Sequence, residues 1–145
     1  MMENPTRIYS GRMKRVNGLA SIIVELELGF EIKATKTVIV EGVSSVDVPP
    51  RLRSDASHCL VVLLGGKEVF VQIAGDSDGE QNSAILGRVF LARKVFADPE
   101  GMMIPHGLST PLLEIGTFFQ SLKERSYDVD YVKAVLNGNG NGKSV

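Results

Sequence analysis

Few side chains in this chain are spaced for acid–base, nucleophilic or metal chemistry. His58 and Cys59 are neighbours, and successive helical positions point about 100° apart, so they would not easily share a proton or a metal ion. His106 lies far along the chain, so the histidines and the cysteine lack the spacing of a zinc site. A cysteine nucleophile needs a base within reach, and the local sequence offers none. We therefore expect Cys59 in the core and His58 on a solvated helix face.

Two glycine-containing stretches resemble functional loops only in part. The "GGK" at Gly65–Lys67 lacks the first half of a P-loop and precedes a strand-like run, so it predicts a turn. The "GDSDGE" stretch places Asp76, Asp78 and Glu80 as in a calcium loop, but the later glutamate of such loops is missing. A solvated loop is the better interpretation of residues 74–83.

The basic residues form groups that could follow a phosphate backbone. No acid lies between Asn4 and Val24, a segment that holds four basic side chains, and further basic residues follow on a predicted helix and a predicted long strand. Phe30 is one of several aromatic residues that could stack bases, although strands usually bury such side chains and the aromatic content is only 6%. A solvated basic surface is the competing interpretation. The candidate nucleic-acid-binding residues are Arg12, Lys14, Arg15, Arg88, Arg93 and Lys94.

The composition is that of an ordinary folded domain. The 145 residues are 43% hydrophobic and 23% charged, and the formal net charge is −1, so the whole molecule does not attract nucleic acid by charge alone. The single cysteine excludes an intrachain disulfide. The first residues lack the apolar segment of a secretory signal, and no apolar run approaches the ~20 residues of a membrane span. We expect a cytoplasmic protein that does not enter membranes.

Three consecutive segments have strand-like patterns. Ser21–Leu28 alternates, with Ile22, Val24 and Leu26 on one side. Ile8–Val16 precedes it as a partner strand, and Asn17–Gly18 is a strong hairpin signal between the two. Glu31–Val43 is rich in β-branched residues and follows directly. Together the three segments predict an antiparallel meander.

The period changes further along the chain. Apolar residues from Leu52 to Leu63 recur on one helical face, after a pair of prolines and before Gly65–Gly66. "KEVFVQI" alternates as a strand, and residues 84–104 predict a long strand, a turn at "DPEG" and a short return strand. A helix follows, with Ser109 or Thr110 as N-cap and Pro111 at its first position. Residues 127–136 predict one more short helix.

This order of elements predicts the fold class. Runs of strands interrupted by single helices fit a mainly β architecture with added helices (α+β), namely a five-stranded barrel of the OB type with two or three helices. We expect one domain over residues 1–136 and a flexible glycine- and asparagine-rich tail over residues 137–145.

The chain also resembles the staphylococcal nuclease-like (thermonuclease) domains. The resemblance lies in the order "RMKRVNG…VELELGF…VIVEGVSSVD…ASHCLVVLLGGKEVFVQI…LGRVFLARKVFADPEGMMI…LLEIGTFF" and covers about Ile8 to Phe119. Its best local match is "LGR" followed by an apolar strand, where the family has tyrosine-glycine-arginine. Such domains are OB-fold barrels that cleave phosphodiesters with a calcium ion, two aspartates, a glutamate that prepares water and two arginines.

Most of the positions that would carry this chemistry hold other residues here. The resemblance places the family's Asp-Gly-Asp on Asn17–Leu19, its first arginine on Ile39, its second metal aspartate on Ser44 and its glutamate on Asp47. Only Arg88 retains the family's residue type. Leu19 and Ile39 cannot bind a cation, so we expect the former metal pocket to be filled by hydrocarbon. Asp47 and Arg88 stay as weak catalytic candidates, beside their interpretation as a turn acid and a surface arginine.

Two functional hypotheses follow. The first is a non-catalytic binding module without metal or cofactor, whose partner is another protein or single- or double-stranded nucleic acid, as in small accessory or inhibitor proteins of viruses and mobile elements. The second is a divergent calcium-dependent nuclease that uses Asp47, Arg88 and acids of the 76–80 loop. Fold alone does not choose between them.

Overall fold

The computed structural model describes residues 6–74, 84–91, 102–104 and 112–136. This part of the chain forms a closed five-stranded mixed β-barrel with three helices and a small two-strand extension. The strands are β1 Thr6–Gly18, β2 Ser21–Gly29, β3 Ile32–Val40, β4 Glu68–Ala74, β5 Ala84–Leu91, β6 Met102–Met103 and β7 Leu112–Glu114. The helices are α1 Arg53–Leu64, α2 Ile115–Ser121 and α3 Val129–Leu136, and short 3-10 turns lie at Ser45–Asp47, Pro50–Leu52 and Leu122–Arg125.

The barrel closes where β5 pairs with β3. β1 is antiparallel to β2 along its second half and to β4 along its first half. β5 is antiparallel to β4 and parallel to β3, where Thr37 to Val40 face Ala84 to Gly87. The helix α1 connects β3 to β4. This topology confirms the predicted α+β class and the OB-like barrel.

A glycine allows β1 to pair with β2 on one side and with β4 on the other. Gly11 pairs with Leu26 of β2 and with Val69 of β4. A Cβ atom at this position would lie 2.5 Å from the carbonyl oxygen of Glu25, so only glycine permits the close approach of β2. The register of β1 against β2 also shifts after Met13 and after Val16, which bends the strand around the core.

The hydrophobic core confirms the two clearest sequence patterns. In β2 the side chains of Ile22, Val24 and Leu26 are buried, as the alternation predicts. In α1 the buried face holds Ala56, Cys59, Leu60, Leu63 and Leu64. Strand β4 adds Val69, Val71 and Ile73. Helix α3, on which Val132 and Val135 are buried, packs on α1 and covers one side of the core.

Three local predictions are wrong in detail. The β1–β2 turn is centred on Leu19–Ala20, because Gly18 already pairs with Ser21. Residues Leu112–Glu114 form a strand that pairs with β5, so the predicted helix begins only at Ile115. The short strand Met102–Met103 pairs with β7 and not, as a return strand, with β5.

Several predicted features lie outside the described residues. These are the acidic loop after Ala74, the "DPEG" turn, the helix cap at Ser109 or Thr110, and the glycine-rich tail at 137–145.

Candidate functional site

Arg88, one of the two catalytic candidates from the sequence, is held by an acid from another strand. Its Nε lies 2.9 Å from Oε2 of Glu114 and its Nη2 lies 3.2 Å from Oε1, so the guanidinium donates two hydrogen bonds to one carboxylate. The side chain of Glu114 is only 8% exposed. The hydroxyl of Thr117 donates a third hydrogen bond to Oε1 at 2.7 Å. Arg88 therefore ties β5 to the start of α2.

Electrostatics favour the charged forms of both partners. Burial would raise the pKa of Glu114, but the hydrogen bonds from Arg88 and Thr117 outweigh it and hold that pKa below its ordinary value. The hydrogen bond to Glu114 raises the pKa of Arg88 further, against the opposing effect of burial. The guanidinium carbon also lies 5.5 Å from the ring centroid of the buried Phe90. Nε, Nη2 and the face of the guanidinium are therefore engaged in contacts within the domain.

Leu19 and Ile39, which the resemblance places at a metal aspartate and at an arginine, lie in different surroundings. Leu19, in the β1–β2 turn, is partly buried and packs against the hydrophobic core. Ile39 lies on the outer face of the barrel, where its strand neighbours are Ser21 on β2 and Leu86 on β5. Leu86 is 59% exposed. Ile39 and Leu86 are therefore neighbouring apolar side chains on the outer face at the β3–β5 contact.

Ser44 and Asp47 line a cavity of about 190 Å³ beside the C-terminal end of β3. The remaining lining residues are Gly42, Phe119, Gln120, Lys123 and Tyr127. The side-chain amide of Gln120 on α2 donates a hydrogen bond to the carbonyl oxygen of Gly42 at 3.0 Å. This bond joins two of the lining residues directly. Arg88 is not among the residues that line this cavity.

Of the predicted nucleic-acid-binding residues, Arg12, Lys14 and Arg15 are exposed on β1, whereas Arg88 lies on β5 and is paired with Glu114. Arg12 donates to the carbonyl oxygen of Gly66 at 2.7 Å and lies between Glu25 and Glu68 on the neighbouring strands. Lys14 and Arg15, at the irregular register of β1, are exposed. Arg93 and Lys94 lie outside the described residues.

Cys59 is buried, as predicted, and its surroundings favour the protonated thiol. Its Sγ lies 3.3 Å from the carbonyl oxygen of Tyr127. Burial, followed by the nearby charges of Asp55 and Asp128, raises the pKa of the thiol to about 12. Within the described residues no three His, Cys, Asp or Glu side chains are placed to hold a metal ion. His58 is exposed on α1 and lines a separate open groove with Asp128 and Asp130.

Two features of the structure do not follow from the sequence patterns. Glu114 was expected inside a helix, although a single acid within the run "PLLEIGTFF" is itself a signal for a buried ion pair. The sequence predicts Phe30 as a candidate for stacking on bases, in a strand that would usually bury it. It lies instead in the β2–β3 turn and is 97% exposed. The signal for it was the isolated "GFE" between two alternating segments.

Comparison of the chain with models of known protein families and with curated proteins finds no match to either. Among the described residues no helix is long and apolar enough to cross a membrane.

Proposed function

We propose that this chain is a non-catalytic binding module on a thermonuclease-like OB barrel, and that its partner is a protein. The observation that carries the proposal is the ion pair of Arg88 and Glu114. In a nuclease of this type the arginine must be free to stabilise the charge that develops on the phosphate. Here Nε and Nη2 of Arg88 donate to a carboxylate that is itself buried, and releasing them would leave that carboxylate without its cation.

The remaining catalytic roles lack suitable residues. Leu19 and Ile39 offer no oxygen to calcium and no charge to a phosphate. Asp47 has a carboxylate, but it faces a cavity that Arg88 does not line. A water activated by Asp47 would therefore act without Arg88, and the basic residue that does line this cavity is Lys123, a residue type other than the arginines of this chemistry.

The character of the outer face supports a protein partner. The side chains of Ile39 and Leu86 lie next to each other across the β3–β5 contact, and Leu86 is largely exposed. Exposed apolar side chains on a folded domain are favourable contacts for another apolar surface, whereas they add nothing to phosphate binding. The formal net charge of −1 also gives no general attraction to nucleic acid.

Nucleic acid is the second candidate partner, and one observation favours it. Lys14 and Arg15 are adjacent and exposed on β1, and neither forms an ion pair with a described residue. Two such cations support weak binding that weakens steeply as salt increases. A salt titration of DNA and RNA affinity, with the Lys14→Gln/Arg15→Gln variant as control, measures this contribution.

A cleavage assay tests the absence of catalysis. Purified chain is incubated with plasmid DNA and calcium, beside the Asp47→Ala and Arg88→Ala variants. We expect no cleavage above background in any sample. Calcium-dependent cleavage that both substitutions abolish would establish the nuclease instead.

A capture experiment tests the class of partner. The tagged chain and its Leu86→Asn variant are used as baits in extracts of the cells that contain it, with and without nuclease treatment. We expect a protein that stays bound after nuclease treatment and is depleted with the variant. Capture that nuclease abolishes in full would instead favour the nucleic-acid partner.

A further inference from the structure

The β2–β3 hairpin extends beyond the barrel wall. β3 pairs with β2 along its whole length but pairs with β5 only from Thr37 onward. β2 pairs with β1 only as far as Leu26. The end of the hairpin, residues 27–36, therefore has no strand neighbour among the described residues except its own partner strand. We refer to residues 28–32 as the hairpin tip.

The turn at the hairpin tip is built from residues that disfavour it. Gly29 pairs with Ile32, so Phe30 and Glu31 are the two central residues of the turn. Their φ angles are 54° and 65°. Positive φ at both positions is the requirement of a type I′ turn, which favours sequences such as Asn-Gly. Side chains with a Cβ atom are strained there by about 1 kcal/mol or more each. Stability of the hairpin therefore does not explain this choice of residues.

The hairpin tip exposes three large apolar side chains together. Phe30 is 97% exposed, Ile32 is 56% exposed and Leu28 is 45% exposed. Single exposed apolar residues are normal on protein surfaces, but here three lie within five residues at the end of one projecting hairpin. An exposed aromatic side chain at such a position has the apolar area of an interface anchor.

The charges at the hairpin tip limit which kind of partner can bind it. Glu31 stands beside Phe30 and forms no ion pair with any described residue. Glu27 lies opposite Lys33 on the neighbouring strand, and Lys33 lines the same surface pocket as Glu31. The two carboxylates outnumber this one cation, so residues 27–33 repel nucleic-acid phosphates and anionic lipids. The carboxylate of Glu31 also resists transfer into the bilayer interior together with Phe30.

We infer that Phe30 is an anchor that inserts into an apolar pocket on a partner protein, and that a lysine or arginine at the rim of that pocket faces Glu31. This inference rests on the proposed protein-binding function and specifies one contact of it. Burial of the phenyl ring supplies affinity, and the ion pair at the rim favours the correct partner and speeds association. The strained turn holds the ring outward before binding, so little ordering is needed on contact.

The turn provides a variant that removes the anchor without risk to the fold. Asparagine tolerates the left-handed conformation better than phenylalanine, so Phe30→Asn should fold at least as stably as the wild type. Val46, which is 84% exposed in a 3-10 turn, is the matched control for loss of an exposed apolar side chain. Glu31→Lys reverses the charge at the rim and leaves Phe30 in place.

Site-specific photo-crosslinking identifies what contacts the anchor. The photoreactive residue p-benzoylphenylalanine replaces Phe30, Leu86 or Val46 in separate copies of the full chain, in the cells that contain it. We expect the probe at position 30 to form one predominant protein adduct that the probe at position 46 does not form. The adduct peptide should be apolar and should have a lysine or arginine nearby.

Binding of the purified adduct protein then decides the inference. We expect Phe30→Asn to weaken affinity by about tenfold to hundredfold, the effect of removing a buried phenyl ring. Val46→Asn should leave affinity unchanged, and Glu31→Lys should slow association by about fivefold or more. Equal affinity of wild type and Phe30→Asn would overturn the inference, as would adducts with lipid, nucleic acid or a second copy of this chain.

The Phe30 anchor and the protein-binding function can be rejected independently of each other. A protein adduct from the probe at position 86, with none from position 30 above the position-46 background, would reject the anchor and retain a protein-binding module. Adducts with nucleic acid alone at every position would reject both.

Discussion

Arg88 of β5 and Glu114 of β7 share two hydrogen bonds between guanidinium and carboxylate, at 2.9 Å and 3.2 Å. Their strands are neighbours in the sheet, where Phe90 pairs with Glu114. The contact joins the barrel to the segment that leads into α2. Arg88 is therefore part of the architecture that positions α2.

Removing the cation from this pair should destabilise the fold. We expect Arg88→Met to lower the free energy of unfolding by about 2 kcal/mol, because Glu114 is then buried without its main partner and Arg88 itself is only partly buried. Urea unfolding measures the change. Glu124→Gln, at an exposed site, is the control and should change stability by less than about 0.5 kcal/mol. A loss no larger than that of the control would show that the pair adds nothing to stability.

The same pair should make stability depend on acid. The pKa of Glu114 in the folded chain is below its ordinary value of 4.5, so the unfolded chain takes up the proton first as pH falls. The contribution of the carboxylate is therefore complete above pH 4.5 and is lost as pH falls through the lower folded pKa. Unfolding of wild type and Glu114→Gln, compared between pH 7 and pH 3, should show the difference shrinking at the acid end. A constant difference across that range would contradict this assignment.

A side chain at Gly116 should disrupt the start of α2. Gly42 and Gly116 approach so closely that a Cβ on Gly42 would lie 2.7 Å from the Cα of Gly116, and a Cβ on Gly116 would overlap the backbone carbonyl of Glu41. We expect Gly116→Ala to lower the free energy of unfolding by about 3 kcal/mol. Gly66→Ala is the control, since Gly66 has positive φ but open space around it, and should cost only about 1 kcal/mol. Equal effects of the two substitutions would mean that the backbone adjusts to remove the overlap.

Relief of the strained turn should stabilise the protein. We expect Glu31→Gly to raise the free energy of unfolding by about 0.5–1 kcal/mol, because glycine adopts positive φ without a Cβ clash. The same substitution at Glu25, within β2, should instead lower stability by about that amount. Thermal or urea unfolding of both variants measures the contrast. A loss of stability in Glu31→Gly would show that the glutamate side chain supports the turn.

The barrel was predictable from the sequence because its signals are local. The alternation of Ile22, Val24 and Leu26, and the helical face that includes Cys59 and Leu63, each report which side of an element is buried. The order of those elements was then enough to predict an OB-like barrel.

The errors arise where distant contacts outweigh local preference. Asn17–Gly18 is a strong turn signal, but the register that buries Ile22 opposite Val16 moves the turn to Leu19–Ala20. Leu112–Glu114 follows a proline and has a helical pattern, but pairing with Phe90 and Leu91 extends it into the sheet.

The candidate site was less predictable than the fold. Position 88 was identified through its resemblance to an active-site arginine, but its partner lies 26 residues away and nothing near Arg88 indicates it. The exposure of Phe30 depends on how far the hairpin passes the end of the barrel. That length follows from the register of β3 against β5, which no local pattern encodes.

The parallel contact of β3 with β5 also has a consequence for how the chain folds. Thr37 pairs with Ala84, which is 47 positions later in the sequence, whereas β1, β2 and β3 pair through tight turns. During synthesis the first three strands therefore emerge as an open sheet. The outer edge of β3 stays unpaired until β5 has been made. Until β5 arrives, that edge is available for wrong pairing with other chains, and nascent polypeptides truncated before Ala84 should be the ones that aggregate or require a chaperone.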